Sequence, residues 1–314
     1  MATHEQLTSS GDPYFAHETY RHLRTMLVAL PLLLLAGLLG AAFAFGLDSI
    51  QGSISAYYLG PMRDVFVGCM VGIAVCLVAY RGEALEDYAL NLAGFYALFV
   101  AFVPTQLARS LAQLGTDQER ADVVASLRVT IAAVLIVTAA FLVVEATTGH
   151  WAYRELRRNA VARWFFLVST LFAIAFVALV VWRAFEGTSF DNVHLAATLL
   201  LIVSMATAVA SYAWPARTGS LRPPTAASRR RAESGKGGDG TGIYQWIFWL
   251  MVGGGIFIAA VLDLVLHSPY AGIVAELWEL GLFVAFWLIQ TLQKWEPPTD
   301  AEKHEAVTGA AAGS

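Results

Sequence analysis

The chain has 314 residues, of which 57% are hydrophobic and 14% charged, against about 25% charged in a typical soluble domain. That leaves too little polar surface to wet a water-soluble fold, so the sequence reads as an integral membrane protein. A net charge of -4, with no basic stripe interleaved with aromatics, excludes a nucleic-acid partner.

Residues 1–25 are polar and precede the first apolar run. A secretory signal would place its apolar region closer to Met1 and follow it with a small-residue cleavage site. Neither pattern is clear here, so Met26–Leu47 is expected as a retained first span, with Pro31 tolerated or kinking it. A membrane helix needs about 20 mostly apolar residues to cross roughly 30 Å. By that measure further spans are expected at Asp64–Tyr80, Tyr88–Leu107, Val123–Val144, Trp164–Trp182, Leu195–Trp214, Tyr244–Leu266 and Gly272–Leu292. The fold class is therefore all-α: a polytopic transmembrane helical bundle of eight spans.

Orientation follows from Lys and Arg in the connecting segments. With the N-terminus inside, fifteen of them fall on inner segments and five on outer ones, which favours both termini in the cytoplasm. Residues 26–214 hold spans one to six. Residues 215–243, rich in Gly, Ser, Pro and Arg, cannot bury an apolar face and are expected as a disordered basic cytoplasmic linker. Its Arg229–Arg230–Arg231 cluster suits anionic lipid. Residues 244–295 carry the last two spans, and 296–314 form a polar, disordered tail.

Some features read as packing. Cys69 and Cys76 lie seven residues apart in one span, about 10 Å along a helix, which is beyond the reach of a disulfide. Gly68 and Gly72 form a small-xxx-small pair, and Gly253–Gly254–Gly255 interrupt the seventh span. The triplet could also let that helix bend.

The chemistry concentrates at the outer ends of the spans. Asp48, Ser53, Ser55, Tyr57, Tyr58, Arg63 and Asp64 belong to the first outer loop and the mouth of span two. Asp191 and His194 open span six. Asp263 and His267 close span seven at i,i+4 spacing, on one helical face. Glu276 and Glu279 open span eight. Glu145 and His150 sit at the opposite end and are expected to face cytoplasmic water.

Three readings of the outer group stand open. In the first, these are solvated mouth residues without a ligand, in a structural or partner-binding protein. In the second they line a pocket for a lipid head group or a small polar solute, with possible transport. Arg63 would anchor an anion through its planar fork, Tyr57 and Tyr58 would line the entrance, and Asp64, His194, Asp263, Glu276 and Glu279 would accept protons or bind an amine. No internal repeat or matched pair of interrupted helices supports a transporter. The third is a metal-dependent intramembrane hydrolase with zinc on His194, Asp263 and His267, although the chain has no HExxH. The first two readings need no cofactor, and membrane lipids are the common partner. No phosphate-binding loop or nucleophile elbow is present.

Ser53-Ile54-Ser55-Ala56-Tyr57-Tyr58, then Arg63-Asp64-Val65-Phe66-Val67-Gly68 and Tyr80-Arg81-Gly82, resemble a group of bacterial multi-pass membrane proteins known only as a domain of unknown function. Asn91-Leu92-Ala93-Gly94, Val103-Pro104-Thr105, Val193-His194-Leu195-Ala196-Ala197 and Glu279 with Phe286-Trp287-Leu288-Ile289-Gln290-Thr291 look like its later helices. A more distant likeness is to the DRAM and FRAG-type membrane proteins. The resemblance implies a polytopic bundle in a bacterial cytoplasmic membrane, with fewer spans than the eight counted here and no established activity. It picks out Ser53, Ser55, Tyr57, Arg63, Asp64, His194 and Glu279 as motif positions.

Overall fold

The computed structural model describes residues 13–46, 50–59, 62–105, 107, 111, 115–148, 156, 159–186, 190–219, 241–267 and 270–293. The linker from 220 to 240, the tail after 293, Asp48, His150 and the side chains of Tyr58 and Asp191 lie outside the described residues.

Among the described residues there is no strand, and the long helices follow the apolar runs. They are α1 (Pro13–Phe45), α2 (Arg63–Ala79), α3 (Ala84–Phe102), α4 (Asp117–Thr148), α5 (Ala160–Glu186), α6 (Asp191–Ala213), α7 (Gly242–Val265) and α8 (Ala271–Gln293). Helix α1 runs unbroken through Pro31 and begins well before the apolar stretch. Local chemistry sets several ends. At α3, Glu83 and Glu86 form a reciprocal capping box, which satisfies amides the helix itself cannot. That helix stops at Val103, which takes an extended backbone (φ -101°, ψ 107°) because Pro104 clashes with a helical residue before it. At α5, the Asn159 side-chain oxygen accepts from the Val161 and Ala162 amides at 2.8 and 3.1 Å, as an N-cap does.

Six of these helices, α1 and α4 to α8, are long and apolar enough to cross a membrane. Helix α2 has 17 residues and α3 carries Glu86 and Asp87 in its first turn. Neither meets that measure, α2 because it is short and α3 because of its polar residues. Eleven of the 19 residues of α3 are buried, so its polar groups are covered by protein and its apolar content need not match lipid.

The helices pack in a closed circuit: α1 on α2, α2 on α3, α3 on α6, α6 on α7, α7 on α8 and α8 back on α1. One apolar core fills it, with Phe286 and Trp287 of α8 fully enclosed. Helices α4 and α5 stand outside the circuit, and only 11% of the apolar window of each is buried. Their outward faces carry side chains such as Ile136, Leu171 and Phe172, suited to lipid. The close approach of α2 and α3 depends on Gly94, where a Cβ would lie 2.8 Å from the Ala74 carbonyl oxygen. The small-residue pair expected in α2 splits: Gly72 packs on Leu30, but Gly68 has open space around it.

The bundle has two chemically distinct ends. At one, the loop before α2 meets the start of α8 and the end of α3, and Arg128 of α4 donates to the Ala184 carbonyl of α5 at 2.7 Å. At the other, Arg81 meets Glu145, Asn159 donates to the Arg217 carbonyl, and Tyr244 donates to Gln293. Glu145 therefore does not simply face water. It is half-buried in an ion cluster with Arg81, which also holds Asp87 at 3.1 Å. Burial alone would lower the pKa of the Arg81 guanidinium, but the hydrogen bonds and charges of Glu145 and Asp87 outweigh it and raise it.

Candidate functional site

Among its described residues, the loop between α1 and α2 holds one 3-10 segment, Ile54–Leu59, preceded by Gly52 and Ser53. Two hydroxyls give it shape. Ser53 Oγ accepts from the Ser55 amide at 3.2 Å and lies 2.8 Å from Ser55 Oγ, a local turn of the kind serine favours. Tyr57 is buried, and its hydroxyl accepts from the Gln51 amide at 3.2 Å.

Helix α8 closes on this loop from above 220 residues away in sequence. The Ser53 hydroxyl donates to Glu276 Oε1 at 2.6 Å, and the Ile54 amide donates to Glu276 Oε2 at 2.5 Å. One turn earlier the Ile273 amide donates to the Gly52 carbonyl at 2.7 Å. Gly272 permits that contact, since a Cβ there would stand 2.6 Å from the same carbonyl oxygen.

Ser55 carries the network across to α3 through a hydroxyl–hydroxyl bond with Thr105. Next to Thr105, the Val103 carbonyl lies 2.6 Å from His194 Nδ1. A carbonyl oxygen only accepts, so Nδ1 carries a proton and donates it to Val103. His194 is 5% exposed, held at the start of α6.

The result is an ordered chain. A carboxylate accepts only, so Ser53 must donate its single proton to Glu276. Ser55 then donates to Ser53, and Thr105 to Ser55. Every hydroxyl dipole in the chain points towards Glu276.

Of the residues singled out from sequence, the structure brings together Ser53, Ser55 and Glu276, with Tyr57 and His194 alongside. Others lie elsewhere. Arg63 and Asp64 are exposed in the first turn of α2. Asp263 and His267 are exposed at the end of α7. Their i,i+4 spacing serves the backbone: His267 has a left-handed backbone (φ 48°) and its Nδ1 donates to the Asp263 carbonyl at 3.0 Å, closing the last turn as a C-cap does. His194, Asp263 and His267 therefore do not share a centre. Among the described residues no three His, Cys, Asp or Glu side chains are grouped to hold a metal ion. Glu279 lies on α8 one turn beyond Glu276, turned against Gly255 of α7.

Several participants were not singled out as site residues. Thr105 stands in the Val103-Pro104-Thr105 stretch, where a proline in an apolar run was the available signal. At the opposite end, Glu86 is 1% exposed and accepts from the Tyr212 hydroxyl at 2.5 Å. Arg24 of α1 is 3% exposed, and its Nε has no hydrogen-bond partner among the described residues. A carboxylate or guanidinium inside an apolar pattern marks such positions, but nothing in the pattern names the partner.

No family model, no curated protein and no solved structure matches the chain.

Proposed function

We propose that this chain is an eight-span protein of a bacterial cytoplasmic membrane, with both termini in the cytoplasm and the Ser53 loop on the outer side. In this reading the cluster at Glu276 binds the polar head of an amphiphilic molecule or a small polar solute. A single observation carries it: a carboxylate at the end of the bundle is supplied with two donors from a loop rather than from its own helix. A loop can part from a helix more readily than two packed helices can part. When it does, Glu276 is left with two vacant acceptor positions at hydrogen-bonding distance, which suit an ammonium head group such as that of phosphatidylethanolamine. Transport of the bound molecule is the further step this reading allows.

A second reading has its own support. Both Glu276 oxygens and the Ser53, Ser55 and Thr105 hydroxyls are bonded to one another, which is what a purely structural clasp requires. The two readings separate in one experiment. Protein released from nanodiscs of mixed phosphatidylethanolamine and phosphatidylglycerol is weighed by native mass spectrometry. The ligand reading expects retained phosphatidylethanolamine that Glu276→Gln abolishes. Unchanged lipid retention with a lowered melting temperature leaves only the clasp.

A further inference from the structure

Glu279 is a carboxylate whose surroundings in the bundle leave part of it unsatisfied. It sits eight residues into α8, about 12 Å from the start of that helix at 1.5 Å per residue, and so within the apolar thickness of a membrane. Its Oε2 is buried and has no hydrogen-bond partner among the described residues. Its Oε1 rests on the backbone of α7, so close that a Cβ on Gly255 would stand 2.4 Å from it.

The helix it rests on is irregular there. Leu250–Gly254 is a π-helical turn, and a second one follows at Val261–Val265. Such turns are rare and gather at functional sites. The neighbouring Trp278 donates Nε1 to the Leu250 carbonyl at 3.2 Å, and Gly254 faces the same indole. Two consecutive residues of α8 thus dock on two consecutive glycines of α7, one with its polar group satisfied and one without.

Among the described residues no partner is paired with the Glu279 carboxyl group. Described titratable groups on the elements that touch α8 are Tyr244, Asp263 and His267 on α7, Glu18, Tyr20, Arg21, His22 and Arg24 on α1, Tyr57 in the loop, Arg63, Asp64, Cys69, Cys76 and Tyr80 on or at the end of α2, His194 and Tyr212 on α6, and Tyr270 and Glu276 at or on α8 itself. None forms an ion pair or hydrogen bond with Glu279 among the described residues. A bare carboxylate in that setting loses its hydration and gains no donor.

We propose that Glu279 is a proton-binding site in the membrane interior, distinct from the Glu276 cluster, and that its proton occupancy sets the α7–α8 seam. With the proton on, the neutral acid lies against Gly255 as observed. Release breaks its O–H bond and passes the proton to a water that leaves as hydronium, and the carboxylate left behind requires further water molecules to enter and solvate it. The seam must then part at Gly254–Gly255, with the two π turns flanking the movement. The inference goes beyond the ligand reading and needs only that α7 and α8 lie in the membrane.

Dicyclohexylcarbodiimide tests it, because that apolar reagent modifies protonated carboxyl groups within a membrane. The full chain in nanodiscs is treated across a pH series and its peptides are weighed. The expected result is modification of Glu279 that falls by at least about fivefold between pH 6 and pH 9, as its acid form is lost. Gly255→Ala, which pushes the carboxylate off the helix, shifts the midpoint of that profile, and Gly281→Ala does not. Absence of label on wild-type Glu279, or labelling independent of pH, overturns the proposal. Protection by sodium at constant pH also overturns it, by assigning the site to an alkali cation.

Discussion

The Tyr212 hydroxyl of α6 donates to the Glu86 carboxylate of α3 at 2.5 Å, in a place where Glu86 is 1% exposed. Glu86 also accepts from the Glu83 amide at 3.3 Å, so one carboxylate caps its own helix and ties it to the next. Tyr212→Phe removes the donor and leaves a charged acceptor buried. The expected cost is about 1–3 kcal/mol of unfolding free energy, seen as a lower melting temperature in detergent. Glu86→Gln keeps an acceptor oxygen for the tyrosine and should cost less than Tyr212→Phe. The opposite order would remove this tie as the reason for the buried carboxylate.

Gly272 and Gly281 are both in α8 and should respond oppositely to alanine. At Gly272 the added methyl meets the Gly52 carbonyl oxygen, a backbone atom, at 2.6 Å. Either the Ile273–Gly52 bond or the Glu276 cluster must yield, for about 1–3 kcal/mol. Gly281 has nothing within 4 Å, so alanine there brings only its higher helix propensity, about 0.5–1 kcal/mol in favour of the fold. Melting temperatures of the two variants against wild type decide it. A harmless Gly272→Ala would mean that the loop does not sit on α8.

Arg81 and Glu145 tie the α2–α3 turn to the end of α4, and the pair is weaker than its short contact suggests. The Arg81 side chain is 37% exposed, so water screens the pair. A double-mutant cycle with Arg81→Ala and Glu145→Ala should give a coupling of about 0.5–1 kcal/mol, falling at molar salt as the Debye length shrinks to about 3 Å. A coupling unaffected by salt would place the pair in a dry interior instead.

Helices α7 and α8 were read most closely from sequence, whereas α4 and α5, outside the circuit, begin six and four residues before the apolar runs suggested and end four residues beyond them. Helix α7 was located to within two residues at its start, and α8 to within one at either end. Helix α3 shows the limit. Its start is set by Glu83 and Glu86 rather than by hydropathy, so it begins four residues before the apolar run suggested. In the candidate site, Ser53, Ser55 and Glu276 were visible as polar residues at span mouths, but so were Arg63, Asp64, Asp263 and His267. Hydropathy gives the depth of a residue along its helix. It does not give the direction in which the side chain points.

That difference marks the boundary between the two kinds of information. Membrane character, helix lengths and the grouping of polar residues by depth follow from composition along the chain, since crossing roughly 30 Å of hydrocarbon is a demand each segment meets alone. Pairing is not such a demand. Glu276 meets Ser53 across 223 residues, and Tyr212 meets Glu86 across 126. Those meetings depend on helix rotation and on the order of neighbours around the circuit, which are set by side-chain packing between segments. The same packing turned Asp263 and His267 outwards and pressed Glu279 against Gly255.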